Sequence, residues 1–282
     1  IINYQRLAET FLSEALKKNP AIDMRFGTGV KSVRRDSEGF VIETERGETF
    51  YARKVFFGAG SFSLYFAHMI GLGLDYVILL VAGSFYSAGE QLHNKVYRMQ
   101  VEGMPFAEVH GDPDILDIKD TRFGPTTKPL PVMERHRYKT MGKLMRIYMR
   151  SPIRTLLSFL KILFENKLLG YATMNALYDL PIIGPMLFLK KAREIVPSLR
   201  YRDLKLRRGA GGVRPQIVDL RTGKLVMGDF PIEGDGCIFN VTPSPGASVC
   251  IANAKRDVEK IVAMLGDGFT FDRAAFEAIY EE

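Results

Sequence analysis

Apolar positions recur every three or four residues from Asn3 to Lys18. Leu7, Phe11, Leu12, Ala15 and Leu16 share one face, and Asn3 is an acceptable N-cap, which predicts an amphipathic helix. From Ile22 to Phe57 the pattern becomes β. Met24-Arg25-Phe26 leads through Gly27 to Val30–Val33, Asp36–Gly39 turns into Phe40–Thr44, Arg46-Gly47 turns into Thr49–Tyr51, and Val55–Phe57 is a short apolar strand. That strand runs into Gly58-Ala59-Gly60 and a predicted helix from Ser61 to Ile70. A buried strand is predicted at Tyr76–Ala82, a mixed β region over about 95–132, and helices over 139–196, interrupted by Pro152, Gly170, Pro181 and Gly184-Pro185. Strands return near 213–219 and 236–241. Pro243-Ser244-Pro245-Gly246 then opens a last helix predicted to reach about Leu265. The order is sheet, helical cap, sheet, helix.

Composition narrows the class. With 282 residues, 46% hydrophobic and 25% charged, the chain has the make-up of a globular protein of one large or two ordinary domains, which excludes a disordered tail, a collagen-like fibre or a disulfide scaffold. Cys237 and Cys250 lie outside any Cys-x-x-Cys and fit a reducing compartment. His68, His93, His110 and His136 are not at metal-ligand spacing, so no metal is expected. No run of ~20 apolar residues is present, so no membrane-spanning segment is expected. The chain opens on Ile1-Ile2-Asn3, already inside an element, which reads as a fragment of something longer.

Charge is divided unevenly. Residues 134–214 hold 18 Lys plus Arg against 5 Asp plus Glu, whereas the rest of the chain is mildly acidic. Such a block points to a nucleic acid, an anionic membrane surface or an anionic substrate. No recognised nucleic-acid-binding motif accompanies it, so no nucleic acid is expected. Arg150–Phe164 reads as a basic helix with a broad Leu/Ile/Phe face, suited either to a bilayer interface or to packing on the protein's own body.

Four stretches carry candidate chemistry. Gly58-Ala59-Gly60 brings bare backbone to a strand end, where a phosphate or ring meets no Cβ, or it is an ordinary tight turn. Ser63 stands where the third glycine of Gly-x-Gly-x-x-Gly belongs, and no complete fingerprint occurs in the sequence. Ser244 and Pro245 suit the N-cap and first turn of a helix, whose free N–H groups at Gly246, Ala247 and Ser248 would favour a partially negative ring edge; a plain capped helix is the alternative. Arg214, behind a glycine-rich turn, has the guanidinium chosen for bidentate carboxylate binding, or is a surface arginine. His110 ends an apolar strand, as a general base or as a satisfied core histidine.

Taken together, several segments resemble the malate:quinone oxidoreductases, within the FAD-dependent amino-acid and hydroxy-acid oxidases. They are Val81–Tyr86, Pro105–Pro113, Arg122–Thr126, Leu180–Gly184, Ile195–Leu199, Val213–Asp219 and Asn240–Ala247, in family order over about 1–265. The family's N-terminal strand–Gly-x-Gly-x-x-Gly–helix, which binds the ADP half of FAD, has no counterpart in this sequence. The resemblance implies an α/β (α+β) fold: an incomplete FAD-binding Rossmann-like domain interleaved with a mixed-sheet substrate domain and a helical cap. The expected division is 1–75 for FAD binding with a β-meander, 76–212 for the substrate domain with its cap at 139–196, and 213–282 for the return to the FAD-binding part.

The same resemblance implies roles. Val30 would contact the adenine, Gly58, Ala59 and Gly60 the ADP moiety, and Pro245, Gly246, Ala247 and Ser248 the flavin pyrimidine. Arg214 would grip the substrate carboxylate, with Ser84 and Tyr86 as further substrate contacts, and His110 becomes the candidate base. The implied reaction oxidises L-malate to oxaloacetate and passes electrons to a membrane quinone, with helix 150–164 as a peripheral contact on an anionic membrane at the cytoplasmic face. The competing readings are an L-2-hydroxyglutarate dehydrogenase or oxidase, one methylene away in substrate, and an inactive truncated remnant that binds membrane or a partner.

Overall fold

The first helix, α1 (Tyr4–Lys18), forms where the periodicity places it. Asn3 Oδ1 accepts the Arg6 N–H at 3.1 Å, and Lys17 and Lys18 sit in the last turn, where the helix dipole favours cations. The computed structural model describes residues 2–99, 108–165, 168–207, 211–242, 246–266 and 268–278. It divides into two units, Ile1–Asp23 with Val77–Val226, and Met24–Tyr76 with Met227–Glu282.

The second unit opens on the expected meander, β1 (Val30–Asp36), β2 (Gly39–Thr44) and β3 (Thr49–Ala52), paired antiparallel in that order. Its turns are where the sequence puts Gly39 and Gly47, both with positive φ. β4 (Val55–Phe57) leads into α2 (Ser61–Met69). Later in the chain, β12 (Pro231–Gly234) and β13 (Cys237–Asn240) precede α7 (Cys250–Leu265) and α8 (Arg273–Ala278). β13 pairs with β4 in parallel, Phe239 opposite Phe57. The core here is aromatic: the Phe57 and Phe239 rings stack at 4.9 Å, and Phe66 of α2 lies 5.0 Å from Phe57.

The first unit holds the longest strand, β5 (Tyr76–Ser87), followed by β6 (Val96–Tyr97), β7 (His110–Pro113) and β8 (Thr121–Pro129). The helices α3 (Met141–Tyr148), α4 (Pro152–Glu165), α5 (Leu168–Tyr178) and α6 (Ile183–Arg193) come next, then β9 (Lys205–Arg207), β10 (Val213–Asp219) and β11 (Lys224–Val226). The seven strands form one sheet in the order β11-β10-β5-β8-β7-β6, with β9 on β5. Tyr86, Phe123, Tyr178, Phe188 and Leu199 form its buried core, with the Tyr86 and Phe188 rings stacked at 4.5 Å.

Three expectations need correction. β5 continues to Ser87 instead of stopping at Ala82, because its far half pairs with β8 and β9. β10 and β11 hydrogen-bond into the sheet of the first unit, so the return to the second falls near 227 and not at 213. The helix expected to run from Pro245 to about Leu265 is α7, which begins at Cys250 after a turn over 246–249 and is followed by the short α8; Ser244 and Pro245 lie outside the described residues.

Candidate active site and cofactor-binding loops

A cavity of about 290 Å³ in the first unit is lined by Gly83 and Phe85 of β5, His110 of β7, Arg122 of β8, and Gly211, Gly212 and Arg214 at the start of β10. Its walls close up because they are glycine. A Cβ on Gly83 would stand 2.3 Å from the Pro125 Cβ, and one on Gly211 (φ +89°) would stand 2.5 Å from the Gly83 carbonyl oxygen. The two residues expected to carry the chemistry, His110 and Arg214, thus line one cavity.

His110 sits at the start of β7, with its ring 5.2 Å from that of Tyr97 and its side chain only 12% exposed. Nδ1 lies 3.2 Å from the Glu108 carbonyl oxygen. A carbonyl only accepts, so Nδ1 carries the hydrogen and Nε2 the lone pair. Burial lowers the pKa of the ring; Lys95 and Arg214 lower it further, against the Glu108 carbonyl and Asp112, which raise it. The imidazole is therefore neutral near pH 7 and able to accept a proton.

The sequence pattern assigns Arg122 no role of its own beyond its place in the Arg122–Thr126 segment. The structure puts it in the same cavity, its guanidinium 5.7 Å from the centre of the Phe85 ring and Nη2 donating to Asp112 Oδ2 at 2.7 Å. The readable signal was a basic residue among small and aromatic ones in a strand. The partnership with Asp112 comes from cross-strand register, which the sequence does not display.

Ser84 and Tyr86, expected to touch substrate, lie on the other face of β5. Strand side chains alternate, so these two point away from the face of Gly83 and Phe85. Ser84 Oγ donates to Asp179 Oδ2 at 2.7 Å and accepts from Arg135 Nη2 at 2.9 Å, while the fully buried Tyr86 hydroxyl donates to the Tyr178 carbonyl. They tie the sheet to the end of α5.

The cofactor candidates lie in the second unit. The parallel pairing of β4 with β13 brings Gly58–Gly60 and the segment after Asn240 to the carboxyl end of one sheet, where doubly wound folds bind ligands. Gly60 has φ +54° and ψ −122°, a backbone conformation that strains any L side chain, and a Cβ there would meet nothing within 4 Å. Ser63 explains its place in the broken fingerprint: its hydroxyl accepts from the Ala59 N–H at 2.9 Å and donates to the Phe57 carbonyl at 3.0 Å. The Ala59 amide is thereby used within the turn. Val30 opens β1 opposite Thr44, beside a register shift.

The segment entering the second loop is anchored by side chains at both ends of Asn240–Thr242. Asn240 Oδ1 accepts the Thr242 N–H at 3.0 Å, and Asn240 Nδ2 donates to the buried Asp257 of α7 at 2.9 Å. The Thr242 hydroxyl and Arg256 both bond to Asp229. Gly246, Ala247 and Ser248 follow in the turn before α7.

No family model matches the chain. It is 38% identical over 276 residues to a probable malate:quinone oxidoreductase of Helicobacter acinonychis, which takes in 96% of this chain and 61% of that protein. It is 36% identical over 282 residues to a probable malate:quinone oxidoreductase of Campylobacter jejuni, across 99% of this chain and 62% of that one. The chain is homologous to the malate:quinone oxidoreductases. It spans about three-fifths of the length of these curated relatives. Among solved structures, L-α-glycerophosphate oxidase from Mycoplasma pneumoniae with FAD bound aligns at a TM-score of 0.53 and 14% identity, over 93% of this chain and 56% of that one, a likeness of fold. The resemblance to the malate:quinone oxidoreductases read from scattered segments therefore extends along nearly the whole chain.

Proposed function

We propose that this chain supplies the substrate-binding part, and a share of the cofactor-binding part, of an FAD-dependent enzyme that oxidises L-malate to oxaloacetate with a quinone as electron acceptor. The observation that carries the reading is the single cavity lined by both Arg214 and His110. A guanidinium there suits the substrate carboxylate, and the neutral imidazole takes the hydroxyl proton at Nε2.

The second unit is compatible with FAD. Gly60 faces open space in a conformation reserved for glycine, which suits close approach of a phosphate or ring. The Ala59 amide is engaged by Ser63, so Gly58–Gly60 serves this group by closeness and not by an N–H from Ala59. Val30, Gly58 and Gly60 are assigned to the adenosine diphosphate end, and Gly246, Ala247 and Ser248 to the ring; Pro245 keeps its sequence-based assignment. When bound, FAD supplies the acceptor for the hydride of the hydroxyl-bearing carbon and hands the electrons to the quinone. The test is anaerobic addition of L-malate to the FAD-loaded protein, followed by flavin absorbance. Rapid bleaching is expected. Bleaching by L-2-hydroxyglutarate alone would replace the substrate, and no bleaching by either would overturn the reading.

We further propose that α4 docks on an anionic membrane, the source of the quinone. Among the described residues no single helix is long and apolar enough to cross a membrane; one bent pair, α5 with α6, passes by length and composition only. α4 buries Thr155, Ser158 and Ile162 yet leaves a broad apolar face outside: Ile153 is 73% exposed, Phe164 70%, and Leu156 and Leu157 are exposed as well. That apolar face lies within the basic block of 134–214. Sedimentation with phosphatidylglycerol-containing vesicles is expected to carry the protein down, and Leu156→Asp with Leu157→Asp to release it. Equal sedimentation of that variant would remove the proposal.

A further inference from the structure

His110 and Asp112 are two residues apart on β7, so their side chains leave the same face of the strand. The β7–β8 register sets Asp112 directly opposite Arg122. Arg122 Nη2 donates to Asp112 Oδ2 at 2.7 Å, which holds one oxygen of the carboxylate. The other oxygen, Oδ1, is buried, accepts no hydrogen bond, and lies 4.0 Å from His110 Nε2. The Asp112 side chain is only 8% exposed, so water does not readily replace the missing donor. A buried acceptor without a partner is destabilising, and the strand register keeps this one bare.

The tautomer explains the gap. With the Nδ1 hydrogen directed at the Glu108 carbonyl, Nε2 carries the lone pair, so neither it nor Oδ1, 4.0 Å away, can donate to the other. Once Nε2 gains a proton it becomes a charged donor. A closure from 4.0 Å to about 2.8 Å then forms a charge-assisted hydrogen bond and satisfies Oδ1.

We propose that Asp112 is the positioning residue for His110: its free Oδ1 receives the N–H that forms when Nε2 takes the proton of the substrate hydroxyl, while Arg122 holds the carboxylate in register. The O–H bond of the substrate breaks and an N–H bond forms. The hydride on the same carbon leaves to the bound two-electron acceptor, and the alcohol becomes a ketone. This rests on His110 as proton acceptor of the proposed oxidation. Among the described residues, the other charged and titratable groups facing the imidazole are Lys95 and Tyr97 on the β6 side, Arg122 on β8 and Arg214 on β10. Lys95 and Arg214 both disfavour a second proton, so the carboxylate is needed to hold one.

The test is an imidazole NMR titration of the protein without substrate. The chain has four histidines, and His110→Gln identifies the signal. Asp112→Asn is expected to lower the His110 midpoint by about one to three pH units, the span of an opposite charge at this range. Arg122→Gln, which removes a cation and frees the carboxylate, is expected to raise it. Should the first variant fail to fold, the second carries the test with the opposite sign. A midpoint unmoved in a folded variant, or moved against the expected direction, overturns the proposal. Because no flavin reduction is read, such a failure is distinct from failure of malate oxidation itself.

Discussion

One strand, β5, shows two faces built on opposite terms. On the face of Ser84 and Tyr86 the polar groups are matched. Asp179 takes hydrogen bonds from Ser84, Thr126 and Lys128, Arg135 donates to Ser84, and the Tyr86 hydroxyl reaches the Tyr178 carbonyl. On the face of Gly83 and Phe85, the side chains that β7 and β8 contribute keep Asp112 Oδ1 and Arg122 Nε buried without partners, beside a histidine held neutral by burial. Native interiors match nearly all their buried polar groups, so two unmatched atoms on one Asp112–Arg122 pair, with Arg122 lining the cavity, set this face apart from the other. A serine and a tyrosine next to the cavity-lining residues in sequence bond to the end of α5, while an aspartate and an arginine from neighbouring strands meet beside the cavity.

The comparison breaks most sharply at Arg214. Arg214→Leu is expected to lower kcat/KM for L-malate by about 10²–10³-fold, the loss of two hydrogen bonds to a charged group at ~1.5–3 kcal/mol each, discounted for exposure, with the melting temperature nearly unchanged. On the opposite face, Asp179→Ala is expected to cost about 3 kcal/mol of stability, because Lys128 and two hydroxyls lose their acceptor, while KM for malate holds; denaturant unfolding beside steady-state kinetics separates the two. Tyr86→Phe, which strips the donor from the Tyr178 carbonyl, is expected to cost about 1–3 kcal/mol, again without a change in KM.

The smallest effect is on pH. His110 has a folded-state pKa below the ordinary imidazole value of ~6.5. The unfolded chain therefore binds more protons between the two values, and this group makes stability fall as pH drops below ~6.5, with no contribution above it. His110→Gln should flatten that part of the stability curve. A steeper curve in the variant would contradict the buried, neutral assignment.

The legible parts of the molecule were local ones. β1 to β4 announced themselves through alternation and through turn residues such as Gly39 and Gly47, and α1 through its period and the Asn3 cap. The short strands β9, β11 and β12 did not: β9 forms by pairing with the distant β5, and β11 and β12 are brief arms of hairpins whose register with β10 and β13 defines them. Pro245 offered a convincing helix start, yet the Asn240–Thr242 bonds and the following turn carry the chain on to Cys250 before helix begins. Alternation alone separated Ser84 and Tyr86 from Gly83 and Phe85; which pair faced the cavity depended on where β7, β8 and α5 packed. Asp112 and Arg122 are ten positions apart and meet only through the β7–β8 register.

The most direct measurement is the rate of flavin bleaching by L-malate under anaerobic stopped flow, taken for the FAD-loaded protein, for Arg214→Leu and for Ser84→Ala. The two-face account predicts that Ser84→Ala bleaches at close to the unsubstituted rate and that Arg214→Leu, with its flavin retained, is at least about 100-fold slower at subsaturating malate. Equal rates for Arg214→Leu and the unsubstituted protein, or a loss confined to Ser84→Ala, would place the substrate on the wrong face and contradict it.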